Sequence, residues 1–333
     1  TTLTETKEEA FKLLGLALTV PKFDQEPLTR VKNQILAGLR ASKENPKNMA
    51  GRLWWQLAFP NHAYGRSKKG SVNSINAITQ QDMKQFVKRT FTKDNITISI
   101  VGDITPEEVG DALDKIFVDL PESFSGTNVE EGIAENGGET VIVERDIPQS
   151  VVIFGSIGIK RRDPDWYAAT ILFEILSGGF GSRLTEEIRE KRGLTYGVSA
   201  YPLPFEKAGV IVGNVSTVND RVAESIQLIK DIWQDFGEKG PTPTEMQNAK
   251  DYINGSFPLR FTNSKTIAGV LNAVQHFDLG IEYLDNRSKL IDQVSLRDLR
   301  RVAKRLFDSK ALTFAVVGKP TNLDPTMRAP AYE

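Results

Sequence analysis

Gly178-Gly179-Phe180-Gly181-Ser182-Arg183-Leu184-Thr185-Glu186-Glu187-Ile188-Arg189-Glu190-Lys191-Arg192-Gly193-Leu194-Thr195-Tyr196-Gly197-Val198-Ser199-Ala200-Tyr201 runs from a glycine turn into a charged helix and out into an alternating strand. The turn before Ser182 and the glycine at 193 bracket a helix over 182–191. Alternation from Thr195 predicts a strand over 195–202. Arg189 lies in the last turns of that helix, and Tyr196 follows early in the strand. A guanidinium and a phenol both keep their protons at neutral pH. Held on neighbouring rigid elements, the pair suits hydrogen bonding to a peptide carbonyl or a developing oxyanion. The bland alternative is a solvated helix face, whose ion pairs contribute a few tenths of a kcal/mol each, beside a tyrosine that fills a strand. The glycine turn is no phosphate cradle, because it lacks the Gly-x-x-x-x-Gly-Lys-Ser/Thr spacing. It reads instead as a helix-start turn that presents backbone N–H groups.

Outward from this stretch, periodicity predicts strands over 140–145, 150–158, 208–216 and 311–317 and helices over 164–177, 219–237, 243–257, 264–278 and 296–306. Earlier in the chain, helices are expected over 6–19, 26–43, 47–58, 79–91 and 105–117, with a strand over 95–101. Thr79 and Thr105-Pro106 are good helix starts. Residues 119–138, rich in Gly, Ser, Asn and Glu, read as a linker. Runs of strands and helices without strict alternation argue for the α+β class with largely antiparallel sheets. The expected domains are 1–118 and 139–333.

The chain also repeats itself. Asp82-Met83-Lys84-Gln85-Phe86-Val87-Lys88-Arg89-Thr90-Phe91, leading to Gly102, matches Asp298-Leu299-Arg300-Arg301-Val302-Ala303-Lys304-Arg305-Leu306-Phe307, leading to Gly318, at a constant offset of 216. This is a duplicated helix–strand unit rather than a short-period solenoid. Residues 141–216 have no counterpart in the first copy. The first half therefore reads as incomplete, as expected of a chain that has lost or never shows its upstream part.

Bulk composition narrows the class. The 333 residues suffice for two cores, and 40% apolar with 26% charged residues is ordinary for a globular chain. A net charge of −1 gives no reason to expect nucleic acid or an anionic membrane surface. No apolar run approaches a membrane span. The absence of cysteine removes disulfides, thiolate zinc sites and a cysteine nucleophile together. The first residue is Thr1, for which a cleaved signal peptide is one explanation.

The stretch Gly178-Gly179…Ser182-Arg183-Leu184…Arg189…Leu194…Tyr196 resembles the C-terminal half of the pitrilysin and mitochondrial-processing-peptidase family of zinc metallopeptidases, in its bacterial two-halved branch. Phe59-Pro60-Asn61-His62-Ala63-Tyr64-Gly65-Arg66 resembles that family's Phe-Pro-x-His-Pro-Tyr-Gly-Arg loop, and Asn95 to Asp103 its Asn-x-x-x-x-x-Val-Gly-Asp strand. The resemblance implies two homologous α/β-sandwich halves facing each other across a cleft. It implies that Arg189 and Tyr196 act catalytically, reaching a substrate carbonyl, with Gly178, Gly179, Phe180 and Ser182 binding substrate.

The family's catalytic half carries His-x-x-Glu-His, which this sequence lacks. His62 and His276 are 213 positions apart, and each is expected to be structural. Where the family's third ligand, a glutamate, is expected, this chain has Ala37 and Gly38, which cannot bind a metal. No metal site is therefore expected here. The implied role is a metal-free partner subunit in a heterodimer, with zinc and His-x-x-Glu-His supplied by a homologous peptidase subunit. Its substrates are expected to be peptides or unfolded segments, added as a strand along the edge 195–202. Two alternatives stay open: a single-chain peptidase whose metal half lies upstream of Thr1, and a non-enzymatic scaffold of the same fold. The periplasm is the expected location, with the cytoplasm as the alternative.

Overall fold

Five strands, β1 (Thr140–Glu144), β2 (Gln149–Ile157), β3 (Val198–Pro204), β4 (Gly209–Val218) and β5 (Thr313–Gly318), join in one sheet of order β1-β5-β2-β4-β3. The computed structural model describes residues 1–135 and 137–330. β1 runs parallel to β5, and the other neighbours are antiparallel. The helices are α1 (Lys7–Thr19), α2 (Gln25–Glu44), α3 (Pro46–Ala58), α4 (Val72–Ala77), α5 (Gln80–Thr90), α6 (Pro106–Phe117), α7 (Trp166–Ser177), α8 (Val222–Lys239), α9 (Pro243–Ser256), α10 (Ser264–His276), α11 (Tyr283–Asp292) and α12 (Leu296–Leu306). The architecture is mixed α/β with a mostly antiparallel sheet.

The chain divides into two compact units, neither of them continuous in sequence. One comprises Thr1–Leu39, Lys69–Asn128 and Phe257–Ile281; the other comprises Arg40–Lys68, Val129–Ser256 and Glu282 onward. The second unit holds the sheet and covers both of its faces. On one face, Phe154 of β2 stacks on Phe314 of β5 and meets Trp233 of α8, which in turn meets Phe307 after α12. The apolar α7 fills the same core with Ile171, Leu172 and Leu176, as a helix apolar on most sides must. On the other face α3 lays Leu53, Trp54 and Leu57 over Val141, Ile153, Val210 and Ala315. Strand β5 is buried throughout, which explains its unbroken apolar run.

The first unit is helical. Gly15 of α1 faces Ile116 of α6. The expected strand over 95–101 forms no ladder among the described residues. Asn272 and Gln275 of α10 donate instead to the carbonyls of Thr97 and Ile98, and Gln275 also reaches Ser99 Oγ at 2.8 Å. α5 and α12 stand 216 residues apart, the offset found in the sequence. The caps recur too: Thr79 with Asp82 and Ser295 with Asp298 form reciprocal capping boxes. So does a lysine clamp. Lys32 donates to the Asn76 and Ile78 carbonyls, and Lys250 donates to those of Asp292 and Val294.

Candidate functional site

Beneath the glycine turn, α7 ends at Ser177, and Gly178 N–H closes back on Glu174 O at 2.8 Å. A Cβ at Gly178 would lie 2.2 Å from the Glu174 carboxyl, so only glycine fits there. Burial pushes that carboxyl up from its usual range, since a charged carboxylate loses hydration at that position. Ser182 Oγ donates to Gly179 O at 2.6 Å and lies 3.1 Å from Thr185 Oγ1, contacts that hold the start of the following helical segment. Ser182 is buried. Its hydroxyl proton is engaged within the turn. Phe180 points the other way and is 76% exposed.

The helix expected over 182–191 is largely a π turn, Thr185–Glu190. Lys191 N–H bonds to Glu186 O, five residues back. The turn then ends with two nested bonds, Gly193 N–H to Arg189 O at 2.9 Å and Leu194 N–H to Ile188 O at 3.0 Å. Gly193 takes φ +60° to close them, a value that glycine reaches without steric cost. Single π turns are often found at functional sites.

Arg189 is brought to Phe180. Its guanidinium carbon lies 5.1 Å from the ring centroid, and Nε pairs with Glu190 Oε1 at 3.3 Å. The side chain is 38% exposed. The neighbouring cations are committed elsewhere. Lys191 and Arg192 both bond Glu187, and their donated hydrogen bonds hold that carboxyl below its usual range. Arg183 grips Glu245 with two nitrogens, at 2.7 and 2.9 Å, and lies over the Phe236 ring. Arg183 is therefore structural.

Tyr196 does not lie on a strand. Thr195 Oγ1 donates to Ser216 O at 2.7 Å and accepts from Gly197 N–H at 3.1 Å, so the side chain turns the backbone and β3 begins only at Val198. The Leu194 carbonyl is tied to Thr217 Oγ1. Tyr196 thus stands on a loop anchored on both sides, and its side chain is 92% exposed. Among the described residues it has no side-chain hydrogen bond or ring contact, with Arg189 or otherwise. Sequence reasoning missed Thr195 as the anchor, although Thr-x-Gly is a turn signal. It also missed Glu190 and Glu174.

The histidines are occupied. His62 Nδ1 accepts from Tyr64 N–H at 3.1 Å, and Nε2 faces Glu130 O at 3.0 Å. His276 lies edge-on to Phe277. Among the described residues no group of three His, Asp or Glu side chains comes together as a metal site requires, and Ala37 and Gly38 have no ligating side-chain atoms. A groove lined by Lys7, Phe11, Leu16, Glu108 and Ile116 belongs to the helical unit and includes none of the expected site residues. No helix among the described residues is long and apolar enough to cross a membrane.

Residues 77–253 match the family described as the peptidase M16 inactive domain. A Helicobacter pylori protein named "Non-peptidase homolog YmxG" is 30% identical over 321 residues, covering 95% of this chain and 73% of that protein. A Bacillus subtilis protein named "Uncharacterized zinc protease YmxG" is 24% identical over 288 residues, covering 86% of this chain and 69% of the relative. Among solved structures, a peptidase M16 inactive domain from Pseudomonas fluorescens superposes with a TM-score of 0.90 at 27% identity, covering 97% of this chain and 77% of that one.

Proposed function

The chain belongs to the peptidase M16 inactive-domain family, and from that premise we propose that it is the metal-free partner subunit of a heterodimeric peptidase. In this reading it binds a peptide and steadies charge on the reacting carbonyl. A homologous subunit carrying His-x-x-Glu-His supplies the metal and the attacking water. The observation that carries the reading is the Arg189 guanidinium: partly exposed, carried on a π turn, and ion-paired only through Nε among the described residues. Its Nη groups remain as donors. Tyr196, exposed on its anchored loop, adds a phenol donor.

The chemistry assigned to this chain is limited. Arg189 and Tyr196 donate hydrogen bonds to a carbonyl oxygen as it gains negative charge, and neither transfers a proton. Removing one such donor typically lowers turnover by about 10²–10³-fold. The exposed edge of β3, which pairs only with β4, offers unpaired backbone groups to an extended peptide. Placement in the periplasm would give such a subunit unfolded substrates.

The test mixes this chain with a homologous subunit that carries His-x-x-Glu-His and measures cleavage of an unstructured peptide. Each protein alone should be inactive and the mixture active. Arg189→Ala and Tyr196→Phe should lower the turnover of the mixture while leaving assembly intact. Cleavage by this chain alone would refute the partner role. Unchanged turnover in both variants would refute the assignment of the pair. A mixture that assembles and never cleaves would favour a scaffold, the reading suggested by the non-peptidase name of the Helicobacter relative.

A further inference from the structure

Successive residues of a strand direct their N–H and C=O groups alternately to its two sides. Strand β3 pairs only with β4, so one parity of its residues bonds to β4 and the other faces the open edge. The parity is fixed twice over. Ala200 N–H donates to Ser177 Oγ, at the end of α7, at 2.8 Å, and so points away from β4. Pro202 and Pro204 have no N–H, and a strand accommodates proline where the missing donor faces the edge. All three residues are even-numbered, in a register that runs unbroken from Val198 opposite Val215 to Pro204 opposite Gly209.

We infer that β3 is a one-way edge: from Ala200 to Pro204 it accepts hydrogen bonds and donates none, and only Val198 can exchange bonds in both directions with an added strand. For its occupant this rests on the peptide-binding reading above, and it narrows how that peptide is held.

The chemistry selects the occupant. An ordinary edge offers donors and acceptors in equal number and pairs with any strand that approaches, including the same strand of another copy. Here Ser177 takes up one donor and two prolines remove the next two, while the carbonyls of Ala200, Pro202 and Pro204 receive no bond from outside the sheet among the described residues. Two such edges would set acceptor against acceptor, so β3 rejects its own copy. It admits an extended segment that brings its own N–H groups, and therefore one without proline at the positions facing Ala200, Pro202 and Pro204. Val198, the reciprocal position, lies two residues from Tyr196. The doubly bonded end of the segment is thus placed next to the phenol, and the singly bonded end runs toward Pro204.

Hydrogen exchange on the intact chain tests the edge without a ligand. Ala200 N–H should be protected in the wild type and exchange about fivefold faster in Ser177→Ala, as expected for one lost hydrogen bond. In the double variant Pro202→Ala, Pro204→Ala, the amides introduced at 202 and 204 should exchange as fast as exposed groups. Unchanged Ala200 exchange in Ser177→Ala, or protection of the two new amides, would overturn the one-way edge. Calorimetry with an acetylated and amidated heptapeptide, Lys-Val-Thr-Val-Thr-Val-Lys, then reads affinity. The double variant should bind this probe about tenfold more tightly than the wild type, since two donors are restored. A gain in unfolding stability with no gain in affinity would show that the prolines face β4 and would overturn the inference. If neither form binds the probe while exchange behaves as expected, the one-way edge stands and the peptide-binding reading falls.

Discussion

Two glycines of the sheet-bearing unit are irreplaceable for opposite reasons, and substituting alanine at each separates backbone strain from steric exclusion. Gly193 sits at φ +60° with open space where a Cβ would be. Alanine there meets no neighbour and is penalised only by its left-handed backbone, about 1–2 kcal/mol. Stiffening of the unfolded chain returns roughly 0.4–1 kcal/mol of this. Gly193→Ala should therefore cost about 1 kcal/mol, Gly193→Asn less because asparagine tolerates this region, and Gly193→Val more because of its branched Cβ. Gly155 shows the reverse: its φ is ordinary, but a Cβ would lie 2.1 Å from the Ile211 carbonyl and 2.6 Å from the Trp54 ring. That carbonyl belongs to the β2–β4 ladder, and the ring is locked in the core beneath α3, so neither can move aside. Gly155→Ala should cost about 3 kcal/mol or more, the upper range of overpacking. Urea unfolding followed by tryptophan fluorescence reads both costs. Equal losses for Gly193→Asn and Gly193→Val, or a Gly155→Ala variant as stable as the wild type, would refute the reasoning.

Other perturbations test other joints. Leu53 is fully buried where α3 lies on the sheet, so Leu53→Ala should destabilise the second unit by about 2–5 kcal/mol, measured by the same unfolding curves; a loss near zero would mean that α3 does not help hold the sheet. Asp165 accepts from Arg301 and then from Arg305, and these bonds hold its carboxyl below the usual range. A depressed carboxyl stabilises fully above its unfolded value near 4 and loses that contribution as pH falls toward its folded value. Because both arginines are half exposed, Asp165→Asn should cost only about 1 kcal/mol at pH 5–8, with the gap to wild type closing in acid; a gap that widens in acid would sink the assignment. Arg183→Lys should lower stability by losing the two-pronged contact with Glu245 while leaving peptide affinity unchanged, and weaker peptide binding at equal stability would place Arg183 in the site instead.

Which features could be read from the sequence follows from how local their causes are. The helices starting at Thr79, Thr105 and Ser295 carry their stabilising groups within three residues, so the caps are visible as text. The short α4 buries only Ile75 and shows no periodicity to find. Ile96, Ile98 and Ile100 alternate as a strand should, yet alternation specifies only a face. The ladder must come from another strand, and side chains of α10 take that place. Tyr196 failed as a strand residue for a local reason that was legible in principle, the hydroxyl of Thr195 competing for the backbone. The Phe180–Arg189 contact belongs to neither group. The residues are nine positions apart, and a π turn, Thr185–Glu190, lies in the stretch that joins them. An α-helical repeat over the same residues would set the arginine at a different azimuth. The sequence thus shows the arginine, while its aim depends on a backbone irregularity no residue type announces. For that reason a substitution that restores an α-helical repeat between Ser182 and Gly193 should leave Arg189 intact and still abolish its stacking, and a crystal structure of such a variant with the contact preserved would show that the π turn plays no part.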